Sequence, residues 1–371
     1  MKKIGLAWSK ALIATAGALM VPLSAHAQSG VTLYGIVDAG VEYLTNANKT
    51  SHSLVQLQDG NIQESRWGIR AREDLGNGWQ ASVWLESGFD ETKGTLGQGN
   101  RLFGRQAALG LSGHDNELWL GRVYNPIYDV LNGYDPTTYA QYSLATLDPG
   151  LVSRGDQSIR YTRTLGDFRL TGFYSMGYDS IGTPIGGTAG GASTAKDLAF
   201  TAQYKGPVFS GVLAYDNLHG PLSSTGSGLG TLSAGLTPAT SVPGDRARRY
   251  VAAASVNVDK WVFMAGYRLL KTEFLANSIN SNLYWGGARV KVTPALTLIG
   301  SLYHVDVPGK DVKATNTVFS AMYALSKNTY LYSNASYMFN SKNSTAGVDV
   351  GGMTLAGKNQ LGIQAGIFQR F

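Results

Sequence analysis

From Val31 onward, apolar and polar side chains alternate one by one. In the run Val31–Tyr43, Val31, Leu33, Val37, Ala39 and Val41 share one face, and Thr32, Tyr34, Asp38 and Glu42 share the other. Successive side chains of a strand point to opposite faces, so this pattern predicts a strand between an oily and a watery surface. Leu44–Gly60 reads as a polar loop. Asn61–Glu73 alternates again, with Trp67, Ile69 and Ala71 against Arg66, Gly68, Arg70 and Arg72. Leu75-Gly76-Asn77-Gly78 carries an Asn-Gly hairpin signal. Beyond it, Trp79, Ala81, Val83 and Leu85 oppose Gln80, Ser82, Trp84 and Glu86.

The connections follow a rhythm. Short turns stand at Ser112–Asn116, Leu165–Asp167, Lys205–Pro207, Val258–Lys260, Val292–Ala295 and Leu325–Asn328. Longer segments fall between them, at Gly88–Gly99, Tyr124–Gly155, Asp179–Ala195, Leu218–Asp245, Thr272–Ile279, Val307–Lys313 and Ser341–Gly357. An antiparallel meander closed in a membrane has this asymmetry, with short turns on one side and long loops on the other. The runs number about sixteen, each of about ten residues. The expected fold is therefore all-β: a 16-stranded antiparallel transmembrane β-barrel. Lys358–Phe371 is its last strand, with Leu361, Ile363, Ala365, Ile367 and Phe371 on the oily face. With an even strand number the two chain ends meet, so no edge is left open. A propeller would repeat every 40–50 or so residues with a blade signature, and none is seen.

Composition agrees. Only 15% of the 371 residues are charged, against about 25% in soluble domains. The chain has 47 Gly, 20 Tyr and no Cys. Lys2, Lys3 and Lys10, the apolar run Ala11–Leu23 and Ala25-His26-Ala27 form a secretory signal over residues 1–27, with cleavage before Gln28. That run is too short for a membrane helix, which needs about 20 apolar residues. The division is 1–27 signal peptide and 28–371 barrel. Those three lysines supply part of the net charge of +6, and no concentrated basic stripe points to nucleic acid. The five His are scattered, and neither H-E-x-x-H nor G-x-S-x-G occurs, so no enzyme, cofactor or metal is expected.

Residues 124–155 have neither period. They are too rich in Tyr and Leu for a solvated linker and need a surface to pack on. The expectation is a loop folded into the lumen that narrows it, with Tyr124, Tyr128, Tyr134 and Tyr139 holding it to the wall.

Several stretches carry a resemblance: LYGIVDAGVEY (Leu33–Tyr43), ESRWGIRAREDLGNGWQASVWLESGFD (Glu64–Asp90), LFGRQAALGLSG (Leu102–Gly113), LWLGRVYNPIYD (Leu118–Asp129), SIRYTR (Ser158–Arg163) and the terminal Phe371. Together they resemble the trimeric general porins of beta-proteobacteria. The resemblance implies a homotrimer in the outer membrane, in contact with its lipids and lipopolysaccharide, and a third outer loop folded inward. It also implies that Phe371 is read by the barrel assembly machinery.

A barrel of this size has an interior too wide for side chains to fill and holds water. By parity Arg66, Arg70, Arg72 and Arg160 project inward, and the loop acids Asp129, Asp135 and Asp148 are candidates to face them. Arg105 and Arg122 share parity with leucines that face lipid. Each lies beyond the membrane band or on a bulge that switches parity; the resemblance places both near the pore. For any one Arg the alternatives are an interior ion pair or a headgroup contact. Asp135-Pro136 and Asp148-Pro149 also read as turn starts. Rings of arginine favour anions. The expected function is passive passage of small hydrophilic solutes with a mild anion preference. The rivals are a substrate-selective anion porin, a barrel hydrolase and a plugged adhesin.

Overall fold

The computed structural model describes residues 30–47, 51–178 and 194–371. The segment read as a signal, residues 1–27, lies outside them, as does most of the Asp179–Ala195 loop. Sixteen antiparallel strands close into a cylinder. They are β1 (Gly30–Leu44), β2 in two parts (Leu54–Asp59 and Arg66–Gly76), β3 (Trp79–Asp90), β4 (Gln106–Gly113), β5 (Asn116–Tyr124), β6 (Arg154–Leu165), β7 (Phe168–Tyr178) and β8 (Asp197–Lys205). The second half comprises β9 (Phe209–His219), β10 (Arg246–Val258), β11 (Trp261–Phe274), β12 (Asn277–Lys291), β13 (Leu296–Val307), β14 (Val312–Ala324), β15 (Thr329–Asn340) and β16 (Gln360–Arg370). β1 pairs with β16 from Ile36 opposite Arg370 to Leu44 opposite Gly362, which seals the sheet.

The outward face is apolar: Val31, Leu33, Leu109, Leu120, Phe200, Leu213, Phe263, Phe319 and Ile363 are all exposed. Such a belt belongs in hydrocarbon, and a closed barrel leaves no backbone group there unpaired. Phe371 is paired with Gly35 through both backbone bonds, at 3.0 and 3.1 Å. A side chain at Gly35 would strike the Phe371 ring, so this glycine makes room for the terminal aromatic.

Three boundaries differ from the sequence reading. Leu54–Asp59, read as loop, is the outer half of β2 and pairs with β1 from Ala39 to Leu44. Residues 60–65 then leave the sheet before Arg66 rejoins it opposite Ile36. Asp38 holds this excursion, since its carboxylate accepts from the backbone N–H of Ile62 (2.6 Å) and Gln63 (2.8 Å). The segments Thr272–Ile279 and Val307–Lys313, read as long outer loops, are tight: β11 runs to Phe274 and β12 starts at Asn277, while β13 and β14 meet between Val307 and Val312.

The interior is two-sided. The inward positions of β9–β15 include Leu218, Val251, Leu270, Leu283, Trp285, Val305, Val307, Val312 and Val318, all buried in one apolar cluster. Their partners come from the loop after β5 and from Leu229, Leu232 and Leu236 of the β9–β10 loop. Expected to be polar, this half of the wall is apolar because protein covers it.

Candidate functional site: the constricted pore

The loop between Tyr124 and Arg154 builds the constriction from local chemistry. Asn125 follows β5 and caps the helix α1 (Pro126–Leu131), accepting from the Ile127 N–H at 2.8 Å, with Pro126 at the first turn. Proline is favoured there because its missing N–H has no helical partner. One face of α1 buries Ile127, Val130 and Leu131; the other turns Tyr128 and Asp129 to the lumen. Asp135 then folds the chain back, accepting from the backbone N–H of Thr137 (3.2 Å) and Tyr139 (2.8 Å).

The loop crosses the lumen and is fastened on the far wall. The Trp285 indole donates to the Tyr134 carbonyl (2.9 Å), Arg289 to that of Asp135 (2.8 Å), and the Tyr303 hydroxyl to the Asp135 carboxylate (2.6 Å). Returning, Tyr142 donates to Glu42 at 2.9 Å. Asp148 is wholly buried between Arg249 and Arg268, each with Nε 3.0 Å from Oδ2. Asp135 and Asp148 therefore do not face the water; they shape and anchor the loop. Burial holds the Asp135 carboxyl above the usual carboxylate range, against the hydrogen bond from Tyr303.

What the loop leaves open is a cavity of about 750 Å³ against β1–β4. Arg66, Arg70, Arg105 and Arg370 line it, with Glu64, Glu86 and Asp129. Arg105 precedes β4, which frees it from strand parity, and it is buried. Its Nε meets Glu86 at 2.8 Å, its other nitrogens meet Tyr124 Oη (2.6 Å) and Glu64. Arg66 stands 3.9 Å from Glu86. Arg70 has no ion-pair partner among the described residues; its guanidinium lies over Trp84 (4.1 Å) and Tyr34 (4.8 Å). Arg72 sits further toward the Gly76–Gly78 turn, beside Gln80, Ser82, Glu117 and Trp119. Arg160 lies 3.5 Å from Glu117 and 3.6 Å from Asp129, bridging wall and loop.

Arg122 stands at a bulge: Gly121 faces Ser158 but Val123 faces Gly155, so Asp156 and Gln157 oppose one residue. It bonds Asp156 (2.7 Å) and the Gly104 carbonyl (2.7 Å), outside the residues lining the cavity. Parity reasoning missed Arg154, which begins β6 and meets Glu64 at 3.2 Å. It also left out the wall carboxylates as partners. Glu86 carried a signal, since the hairpin register sets it opposite Gly68, between Arg66 and Arg70. Glu64 carried none, because it rides on the excursion.

A closed strand wall, an apolar belt and a narrowed polar lumen define a water-filled channel spanning a membrane. Residues 11–343 match the Gram-negative porin family, and the chain belongs to it. It is similar to outer membrane porin protein 32 of Delftia acidovorans, 31% identical over 380 residues that cover 98% of this chain and 99% of that one. It is also similar to an outer membrane porin protein of Bordetella pertussis, 29% identical over 355 residues covering 85% and 91%. Among solved structures, the anion-selective porin from Comamonas acidovorans shares the fold, with a TM-score of 0.77 and 24% identity over 92% of this chain and 100% of that one. The protein is thus a multi-pass outer-membrane porin, a diffusion channel for small hydrophilic solutes.

Proposed function

We propose that the channel passes solutes without chemistry and favours anions mildly, at the constriction between Arg66, Arg70, Arg105 and Asp129. The observation that carries this is the charge lining the cavity: four arginines against three carboxylates, with Arg70 unpaired among the described residues. Arg66 and Arg105 share Glu86, and Arg105 also meets Glu64, so the surplus is small. Guanidinium is weakly hydrated and stays charged at all physiological pH, so it offers anions a partner as they shed water. Arg72 and Arg160 extend the same positive wall below and beside the constriction.

The family resemblance supports a homotrimer, removal of residues 1–27 on export, contact with outer-membrane lipid and lipopolysaccharide, and recognition of Phe371 during assembly. The test is conductance of the purified protein in planar bilayers. Steps in threes with a reversal potential of anionic sign are expected in a KCl gradient. Silent membranes would remove the channel assignment, and cation preference would remove the arginine argument.

A further inference from the structure

One feature of the lumen exceeds what anion passage requires. Five aromatic rings touch in series: Trp119 to Trp84 (6.0 Å between centroids), Trp84 to Tyr124 (6.5 Å), Tyr124 to Tyr128 (4.6 Å) and Tyr128 to Tyr139 (4.8 Å). The first two lie on the barrel wall and the last two on the constriction loop, so the series climbs from wall to loop. Trp84, Tyr124, Tyr128 and Tyr139 line the main cavity; Trp119 lines a smaller one of about 280 Å³, and Arg70 and Trp84 line both. Trp84 and Tyr128 thus flank the water path, joined behind it by the buried Tyr124 ring.

Guanidiniums flank the middle rungs. Arg70 lies 4.1 Å from the Trp84 ring, and Arg154 lies 4.9 Å from Tyr124 and 5.7 Å from Tyr128. Arg105 stands 5.9 Å from Tyr124. Arg105 and Arg154 are buried in ion pairs with Glu86 and Glu64 and hold these rings in place, whereas Arg70 is exposed to the lumen. Packing alone would place such rings in the apolar half of the barrel, where the loop is anchored. Tyr128, Trp84 and Tyr34 instead stay partly open to the lumen, and Tyr139 lines it with one side while packing on the apolar cluster with the other.

We propose that this strip is a slide for small anions that carry a planar ring, aromatic carboxylates above all. Such a solute sets its carboxylate against Arg70 or Arg66 and its ring against Trp84 or Tyr128, all of which line the same cavity. An aliphatic anion of the same charge finds only the first half of each contact. The proposal rests on the channel reading and adds the solute class.

The experiment compares potassium benzoate with potassium cyclohexanecarboxylate, which match in charge and nearly in size. Reversal potentials of the mature protein in planar bilayers give the permeability ratio. Benzoate is expected to pass about threefold or more in excess, from ring–ring contact at the rungs. Tyr128→Leu brings the ratio down to the ratio of bulk mobilities, and Tyr128→Phe retains the excess. Tyr139→Leu repeats the test should Tyr128→Leu not assemble. Equal permeabilities in the unaltered channel, or an excess indifferent to both leucine substitutions, overturn the slide while leaving the channel standing. No conductance in KCl overturns the channel reading itself.

Discussion

Replacing Arg70 by glutamine removes one positive charge from the constriction without stranding a carboxylate, because Arg70 makes no ion pair among the described residues. An ion passing about 5 Å from that guanidinium feels roughly 0.8 kcal/mol at the dielectric constant of water. At 0.1 M salt the Debye length of about 10 Å reduces this to about 0.5 kcal/mol, or about twofold in local concentration. Anions lose that factor and cations gain it, so the chloride-to-potassium permeability ratio falls about fivefold. At 1 M the Debye length shrinks to about 3 Å, and the same substitution changes the ratio less than about twofold. Reversal potentials of Arg70→Gln and the unaltered channel, at both salt concentrations, measure this directly. A ratio that does not move at low salt would show that ions bypass Arg70. A shift equally large at both concentrations would show that glutamine acted by reshaping the pore and not by charge. Arg66→Gln is the contrasting case: it removes a charge that Glu86 already offsets and leaves that carboxylate held by Arg105 alone.

Three further outcomes are expected. Asp129→Asn removes the acid that the loop presents to the lumen while Arg160 keeps Glu117, so anion preference rises by about twofold at low salt in the same measurement. Asp148→Ala leaves Arg249 and Arg268 buried without their shared carboxylate and costs about 3–5 kcal/mol, read as a lower midpoint of denaturant unfolding in detergent; an unchanged midpoint would mean the loop is not anchored there. Asp349, in the last outer loop, is held well above the usual carboxylate range by burial and the adjacent Glu42 carboxylate. It holds a proton that the unfolded chain releases, so its contribution favours the docked loop at low pH and is lost as pH rises through the raised value. Tryptic cleavage at Lys342 and Lys358 should therefore rise with pH in the unaltered protein relative to Asp349→Asn, and parallel profiles would exclude the carboxyl pair as the latch.

Strand parity was legible because one face must be oily and the other wet, and the period of two carries that choice at every residue. It failed at short strand ends. The outer half of β2 is only six residues long, and its alternation of Val55 and Leu57 with Gln56 and Gln58 was lost in the polar stretch around it, while the ladders of β11–β14 continue through polar residues to Phe274, Asn277, Val307 and Val312. It failed also where the backbone breaks register. Arg105 sits in a turn and Arg122 at a bulge, and the leucines beside them could not reveal that. Asp135 and Asp148 were visible as turn starts, yet their partners Tyr303, Arg249 and Arg268 lie more than a hundred residues away, on strands whose spatial neighbours only the closed barrel defines.

The largest misreading was informative in itself. Inward positions of a water-filled barrel should be polar, yet Leu270, Leu283, Val305, Val307, Val312 and Val318 are apolar and face inward, on strands whose outward residues Phe263, Tyr284, Leu302 and Phe319 are apolar too. A strand apolar on both faces is covered on both faces. Lipid covers one side, so protein must cover the other, and residues 125–153 with Leu229, Leu232 and Leu236 are that cover. The main cavity then lies against the other side of the wall, where Tyr34, Arg66, Arg70, Trp84 and Glu86 of β1–β3 meet Arg370 of β16. The charge that a passing ion meets is therefore set chiefly by that side. Substitutions among the inward apolar residues of β11–β14 should loosen the loop before they alter the charge seen by a passing ion.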